Sequence, residues 1–105
     1  MDINEQLAKW RWPDKNVKVI HGQINVYEQG SIYPIKYRLF TQSVDNCLDI
    51  LAPKLAANGV VVTVGSLEHS GYYAYAHHFL KQEPELVKAG TPALALSEAI
   101  GQVIG

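Results

Sequence analysis

The chain has 105 residues, of which 48% are hydrophobic and 18% charged, and a formal net charge of -1. That length supports one hydrophobic core and leaves two cores each too small, and the composition excludes the polar, highly charged signature of disorder, so one domain over 1–105 is expected. The near-zero charge excludes a general attraction to nucleic acid or to an anionic membrane surface.

Charge is unevenly spread. Lys9, Arg11, Lys15, Lys18, Lys36 and Arg38 face only Asp14 and Glu28 in the first third, while the remainder is acidic on balance. This mildly basic segment is too sparse for a duplex-binding face. Cys47 is the single cysteine, which rules out an internal disulfide and a cysteine-based zinc box and suits reducing cytosol. No apolar run approaches the roughly 20 residues of a membrane span, and Met1 to Trp12 lacks the charged start and apolar core of a signal peptide. The expected location is therefore a cytoplasm, with no membrane partner and no cofactor.

In chain order, Asp2 and Glu5 form a D-x-x-E capping pattern ahead of a short helix over residues 3–10, with Ile3, Leu7 and Trp10 on one face. Pro13 ends it, because proline disfavours helical geometry in its predecessor. Val17 to Glu28 reads as one strand, Ile20, Ile24 and Val26 on one side and His21, Gln23, Asn25 and Tyr27 on the other, with a bulge at Gly22. After a Glu28–Ser31 turn, Ile35, Tyr37 and Leu39 alternate with Lys36 and Arg38, giving a hairpin with one wet face; Pro34 suits an edge strand.

Ser43 is a good N-cap for the clearest helix, whose Val44, Cys47, Leu48, Leu51 and Leu55 share a face. Pro53 inside the pattern predicts a kink or break, and Gly59 a left-handed helix stop. From Gly59 to Leu80 two strands carry apolar or small residues on both faces: Val60 to Val64, then Tyr72 to Phe79. Such strands read as the centre of a sheet covered on both sides by helices. Lys81 to Gly90 reads as a polar connector, and Thr91 with Pro92 caps a last helix with Ala93, Leu96, Ile100, Val103 and Ile104 buried. The expected fold class is α+β, an α/β/α sandwich with a mostly antiparallel sheet, in the order helix-strand-strand-helix-strand-strand-helix.

The run YRLFTQSVDNCLDILAPKLAANGVVVTV, an aromatic strand after it and AGTPALALSEAIGQVI resemble the phage ABA sandwich domain family of small phage and prophage proteins. The matching positions are Trp10, Trp12, Phe40 to Cys47, Val60 to Val64 and Thr91 to Ile100. Phe40 stands where the family more usually has tyrosine, and the Val17 to Leu39 hairpin exceeds its short proline-rich connector. The resemblance implies a sandwich fold and a phage origin, hence the cytoplasm of a bacterial host. It brings no catalytic residue set.

Candidate sites are few. His77 and His78 are adjacent on a strand and point to opposite faces, so they do not ligate one metal together, and no metal site is expected. Ser66, Glu68, His69 and Ser70 have the residue types of acyl transfer but share only a turn, which is no evidence of a triad. Lys9-Trp10-Arg11-Trp12 interleaves cations and aromatics as a phosphate- and base-binding surface does, against the plainer reading of one packed tryptophan and solvated charges. The expected function is binding without catalysis, by a homo-oligomer that sequesters a host defence protein or a small anionic ligand such as a nucleotide. Arg11, Lys36 and Arg38 would meet phosphate, Trp12, Tyr33 and Tyr72 would stack on a base, and His69 would sit at the turn beside them. A structural component of the phage particle and a small hydrolase are the alternatives.

Overall fold

The computed structural model describes residues 2–78 and 85–104. Asp2 holds the extended N-cap position of α1 (Ile3–Arg11), but its side chain makes no capping bond. Gln6 N–H donates instead to the Asp2 carbonyl at 3.0 Å, and Glu5 pairs with Lys9 at 3.0 Å rather than reaching back. The expected capping box is therefore not formed. Trp12 ends the helix ahead of Pro13, as expected.

Val17 to Glu28 is two strands, not one. β1 (Asn16–Ile20) turns into β2 (Gln23–Tyr27) through His21 (φ 54°) and Gly22 (φ 72°), with Ile20 opposite Gln23. Two successive positive-φ residues make the mirror-image turn whose twist matches a right-handed hairpin, so Gly22 is a turn residue and not a bulge. The register also reverses Ile20: Val17 and Val19 face the core while Ile20 is 38% exposed. After the Glu28–Ser31 turn, β3 (Ile35–Arg38) pairs antiparallel with β2, completing sheet A in the order β1-β2-β3.

A 3-10 turn, Phe40–Gln42, leads to Ser43, whose Oγ accepts from Asn46 N–H at 3.1 Å and so caps α2 (Val44–Asn46). The helix then widens into a π turn at Cys47–Leu51, closed by Ala52 N–H to Cys47 O, before resuming as α3 (Ala52–Ala57). Pro53 lies just past the widened turn and has no N–H to bond back along the helix, which accounts for the irregularity the proline predicts. The extra residue rotates the buried stripe: Cys47, Leu51 and Leu55 stay inside, whereas Leu48, expected beside them, is 42% exposed. Gly59 (φ 74°) stops the helix as expected.

β4 (Val60–Ser66) and β5 (Tyr72–His78) form an antiparallel pair. Phe79, expected at the end of this strand, lies outside the described residues, as does the first part of the Lys81 to Gly90 connector. The rest of that connector is not merely polar linker: β6 (Val87–Ala89) pairs with Tyr72–Ala74 and completes sheet B, order β4-β5-β6. Thr91 caps α4 (Pro92–Ile104), its Oγ1 accepting from Leu94 N–H at 3.2 Å.

The described chain thus has six strands in two separate antiparallel sheets, instead of four strands in one. Sheet A packs on α1, sheet B packs on α4, and α1 packs on α4. α1 and α4 lie between the two sheets, and one core runs from Val17, Ile24 and Val26 through Leu7, Phe40 and Leu51 to Leu96, Ile100 and Ala74. This reverses the expected layering, in which helices cover both faces of one sheet. Each sheet gives one face to the helices and keeps its other face outside. α4 is the hub, with Ala93, Ala95, Leu96, Ser97, Ala99, Ile100 and Gly101 all buried, and no helix among the described residues is long and apolar enough to cross a membrane.

Candidate functional site

The basic-aromatic quartet is spent on structure. Trp12 is buried, stacked on Tyr37 at 5.1 Å and Phe40 at 6.4 Å between ring centroids, so no base can stack on it. Arg11 lies against the Trp12 ring and its Nε donates to Ile50 O at 2.9 Å, supplying a partner to a carbonyl of the π turn. Trp10 carries the Lys54 ammonium over its ring at 4.6 Å, and the same ammonium donates to the Trp10 carbonyl. Lys9 is taken by Glu5.

The other expected residues are scattered. Tyr72 packs against the core on the inner face of sheet B. His69 is exposed in the β4–β5 turn, and no hydrogen bond joins Ser66, Glu68, His69 and Ser70 to one another among the described side chains, so the turn holds no nucleophile–base contact. His77 faces outward beside Tyr75, 5.9 Å between rings, while His78 faces the helices opposite Val60. No cluster of metal-ligating residues occurs among the described ones.

Lys36 and Arg38 are brought into a defined setting. The alternation of β1, β2 and β3 sends Lys18, Ile20, Gln23, Asn25, Tyr27, Lys36 and Arg38 to the outer face of sheet A. Register makes one cross-strand row of Lys18, Asn25 and Lys36. With strands about 4.8 Å apart, the two lysine stems flank Asn25 at roughly 10 Å from one another. Asn25 is only 6% exposed, although it stands on the solvent side, and its Nδ2 donates to Gln23 O at 3.3 Å. Lys18 Nζ lies 5.7 Å from the Tyr27 ring centroid. A shallow concavity of ≈ 330 Å³ lies on this face, lined by Ile20, His21, Gln23, Asn25, Tyr27, Pro34 and Lys36.

Among the described residues no carboxylate lies in that row; Asp14 and Glu28 border the Asn16–Tyr27 end of the face, and Glu28 is bonded to Lys15 at 2.6 Å. Arg38 closes one side, its guanidinium donating to Gln42 O at 3.4 Å. Tyr33, 78% exposed on the β2–β3 loop next to Ile32, leads into Pro34 at the other side. Lys18 and Asn25 are the members of this face that the sequence pattern does not mark, because only the hairpin register opposes them.

Cys47 is excluded from chemistry. Its thiol is buried, donates to Phe40 O at 3.3 Å and sits 3.5 Å from Ser97 Oγ. Burial pushes its pKa up, the Ser97 hydrogen bond pulling only partly back. A thiol reagent is expected to leave the native protein unmodified and to label it on denaturation. Because the unfolded thiol ionises first, stability falls as pH rises above about 8.5 and does not do so in Cys47→Ala; rapid native labelling at neutral pH overturns this.

Comparisons with protein-family models, with curated protein sequences and with solved structures return no match for this chain.

Proposed function

We propose that the protein acts by binding a small phosphate-bearing ligand, such as a nucleotide, on the outer face of sheet A, without catalysing a reaction on it. The observation that carries this is the Lys18–Asn25–Lys36 row with Arg38 beside it, a row in which the described residues place no acid. Unopposed cations held on one rigid sheet are relieved by an anion, and Tyr27 and Tyr33 offer rings beside them. Asn25 would read a polar edge, its amide already oriented by Gln23 O.

A role as a phage or prophage accessory protein in the host cytoplasm rests on the motif resemblance of Phe40 to Cys47 and Thr91 to Ile100 to phage ABA-sandwich proteins alone, since the observed layering differs from theirs. Sequestering a nucleotide signal used in defence fits that role. Arg11, Trp12 and Tyr72 play no part in this version, since all three serve packing.

Titration calorimetry with linear and cyclic nucleotides is the test. Heat is expected for at least one, with affinity falling as salt rises, and Lys18→Glu with Lys36→Glu together should weaken binding by roughly 100-fold, about the effect of reversing two charge-assisted contacts. No heat with any phosphate-bearing ligand at low salt overturns the proposal.

A further inference from the structure

The four sheet edges of this chain are not alike. β3 is blunted by Pro34 before it and by Lys36 and Arg38 on it. β6 is three residues long and carries Lys88, and β1 carries Lys18 at its middle. These are the usual devices that keep an edge strand from pairing with another chain. β4 has none of them: its seven residues, VVVTVGS, contain no charge and no proline, and four are valine.

Its outer edge also has free backbone groups. Leu67 N–H donates to Gly71 O at 3.1 Å at the open end of the β4–β5 ladder. Hydrogen-bonded pairs recur every second residue in an antiparallel ladder, so Val61, Thr63 and Gly65 direct their N–H and C=O groups to β5. Val62, Val64 and Ser66 direct theirs away from it. Among the described residues these outward groups bond to nothing else.

We propose that β4 is a homodimerisation edge, on which β4 of a second copy adds antiparallel about a two-fold axis to make a six-stranded sheet. Three features select a second copy over another partner. An antiparallel pair of identical strands is self-complementary in its hydrogen bonds, so β4 fits β4 without a separate receptor edge. Gly59 to Leu67 is free of charge, so two copies meet there with no like-charge repulsion. With the remaining edges blunted, β4 has only itself to pair with, which closes the assembly at two instead of opening it into a filament.

Pairing also makes one continuous outer surface. Val61, Thr63, Tyr73, Tyr75 and His77 share the face of sheet B turned away from α4, with the Tyr73 ring lying over Gly65. Side by side, the two copies put these residues on a single broad aromatic face. The basic face of sheet A, across the helical layer, takes no part.

Sedimentation and light scattering of the full chain across a concentration series are expected to give twice the 11.7 kDa chain mass. Amide hydrogen exchange should protect Val62, Val64 and Ser66 along with Val61, Thr63 and Gly65. Thr63→Lys, on the outer face of β4, should weaken association by roughly tenfold or more through like-charge juxtaposition. It should also expose the Val62, Val64 and Ser66 amides while the alternate set stays protected. A chain that is monomeric at every concentration overturns the proposal, including one that captures an extended peptide on β4 without pairing with itself. A dimer whose Val62, Val64 and Ser66 amides exchange freely overturns it too, and that result needs no variant to fold.

Discussion

Phe40→Ala is expected to lower folding stability by about 3–5 kcal/mol, a large part of the roughly 5–15 kcal/mol available to a domain. Phe40 is fully buried in the 3-10 turn that joins sheet A to the helical layer. Its ring stacks on Trp12, and its carbonyl accepts from the Cys47 thiol and from Ser43 N–H. Truncation leaves a void where α1, α4 and the inner face of sheet A converge, and a rigid helix pair on one side and a sheet on the other leave little room for collapse. Phe40→Tyr is the informative companion, since it keeps the volume but buries a hydroxyl. Urea unfolding should show a lower midpoint with an unchanged slope for Phe40→Ala. A loss under about 1 kcal/mol would mean that the three layers do not share one core.

The second large effect is expected at Asn4, a polar residue 4% exposed inside the helical layer. Its Oδ1 accepts from Thr41 N–H at 3.1 Å and its Nδ2 donates to Thr41 Oγ1 at 3.1 Å, so one amide ties α1 to the 3-10 turn twice. Asn4→Ala removes both bonds and leaves the half-buried Thr41 N–H without its partner, at a cost of about 1–3 kcal/mol. Thr41→Ala keeps the backbone bond and loses only the hydroxyl, so about 1 kcal/mol is expected. A double-mutant cycle should then show coupling between the two residues. Additive losses would mean that the bidentate contact carries no joint energy.

These two residues also show what sequence reveals. Phe40 is marked in the sequence only as the residue that stands where the resembled family has tyrosine, and its full burial emerges from the structure. Asn4 is not marked at all, because a buried amide is recognisable only by its partner, and Thr41 is 37 residues away. Helix limits were legible from local chemistry: Ser43 and Thr91 cap as their side chains allow, and Gly59 stops a helix where a left-handed residue is needed. The hairpin at His21–Gly22 was not, since His before Gly does not carry the turn signal of Asn or Asp before Gly. β6 escaped because three residues are too few to alternate.

Layering was the deepest miss, and its cause is general. Apolar residues on a strand say that a face is covered, and on β4 and β5 the outer residues were aromatic enough to imitate a covered face. Tyr73 instead covers Gly65, and Tyr75 lies against His77. The candidate binding face was half legible: Lys36 and Arg38 alternate visibly with Ile35 and Tyr37, but setting Lys18 across Asn25 from Lys36 requires the hairpin register. Trp12 reads as a binding residue because of its charged neighbours, while Tyr37 and Phe40, which stack on it, come much later in the chain.

α1 and α4, far apart in sequence, meet in the helical layer. Both sheets are meanders whose strands pair with near neighbours in sequence, so each closes only short loops and forms early. Gln6 Nε2 donating to Gly101 O, 95 positions away, belongs to the longest closure in the molecule. Bringing α1 and sheet A onto α4 and sheet B is therefore the entropically costliest closure, and it gives the two sheets one shared core. The two locally paired meanders are accordingly expected to unfold as one cooperative unit.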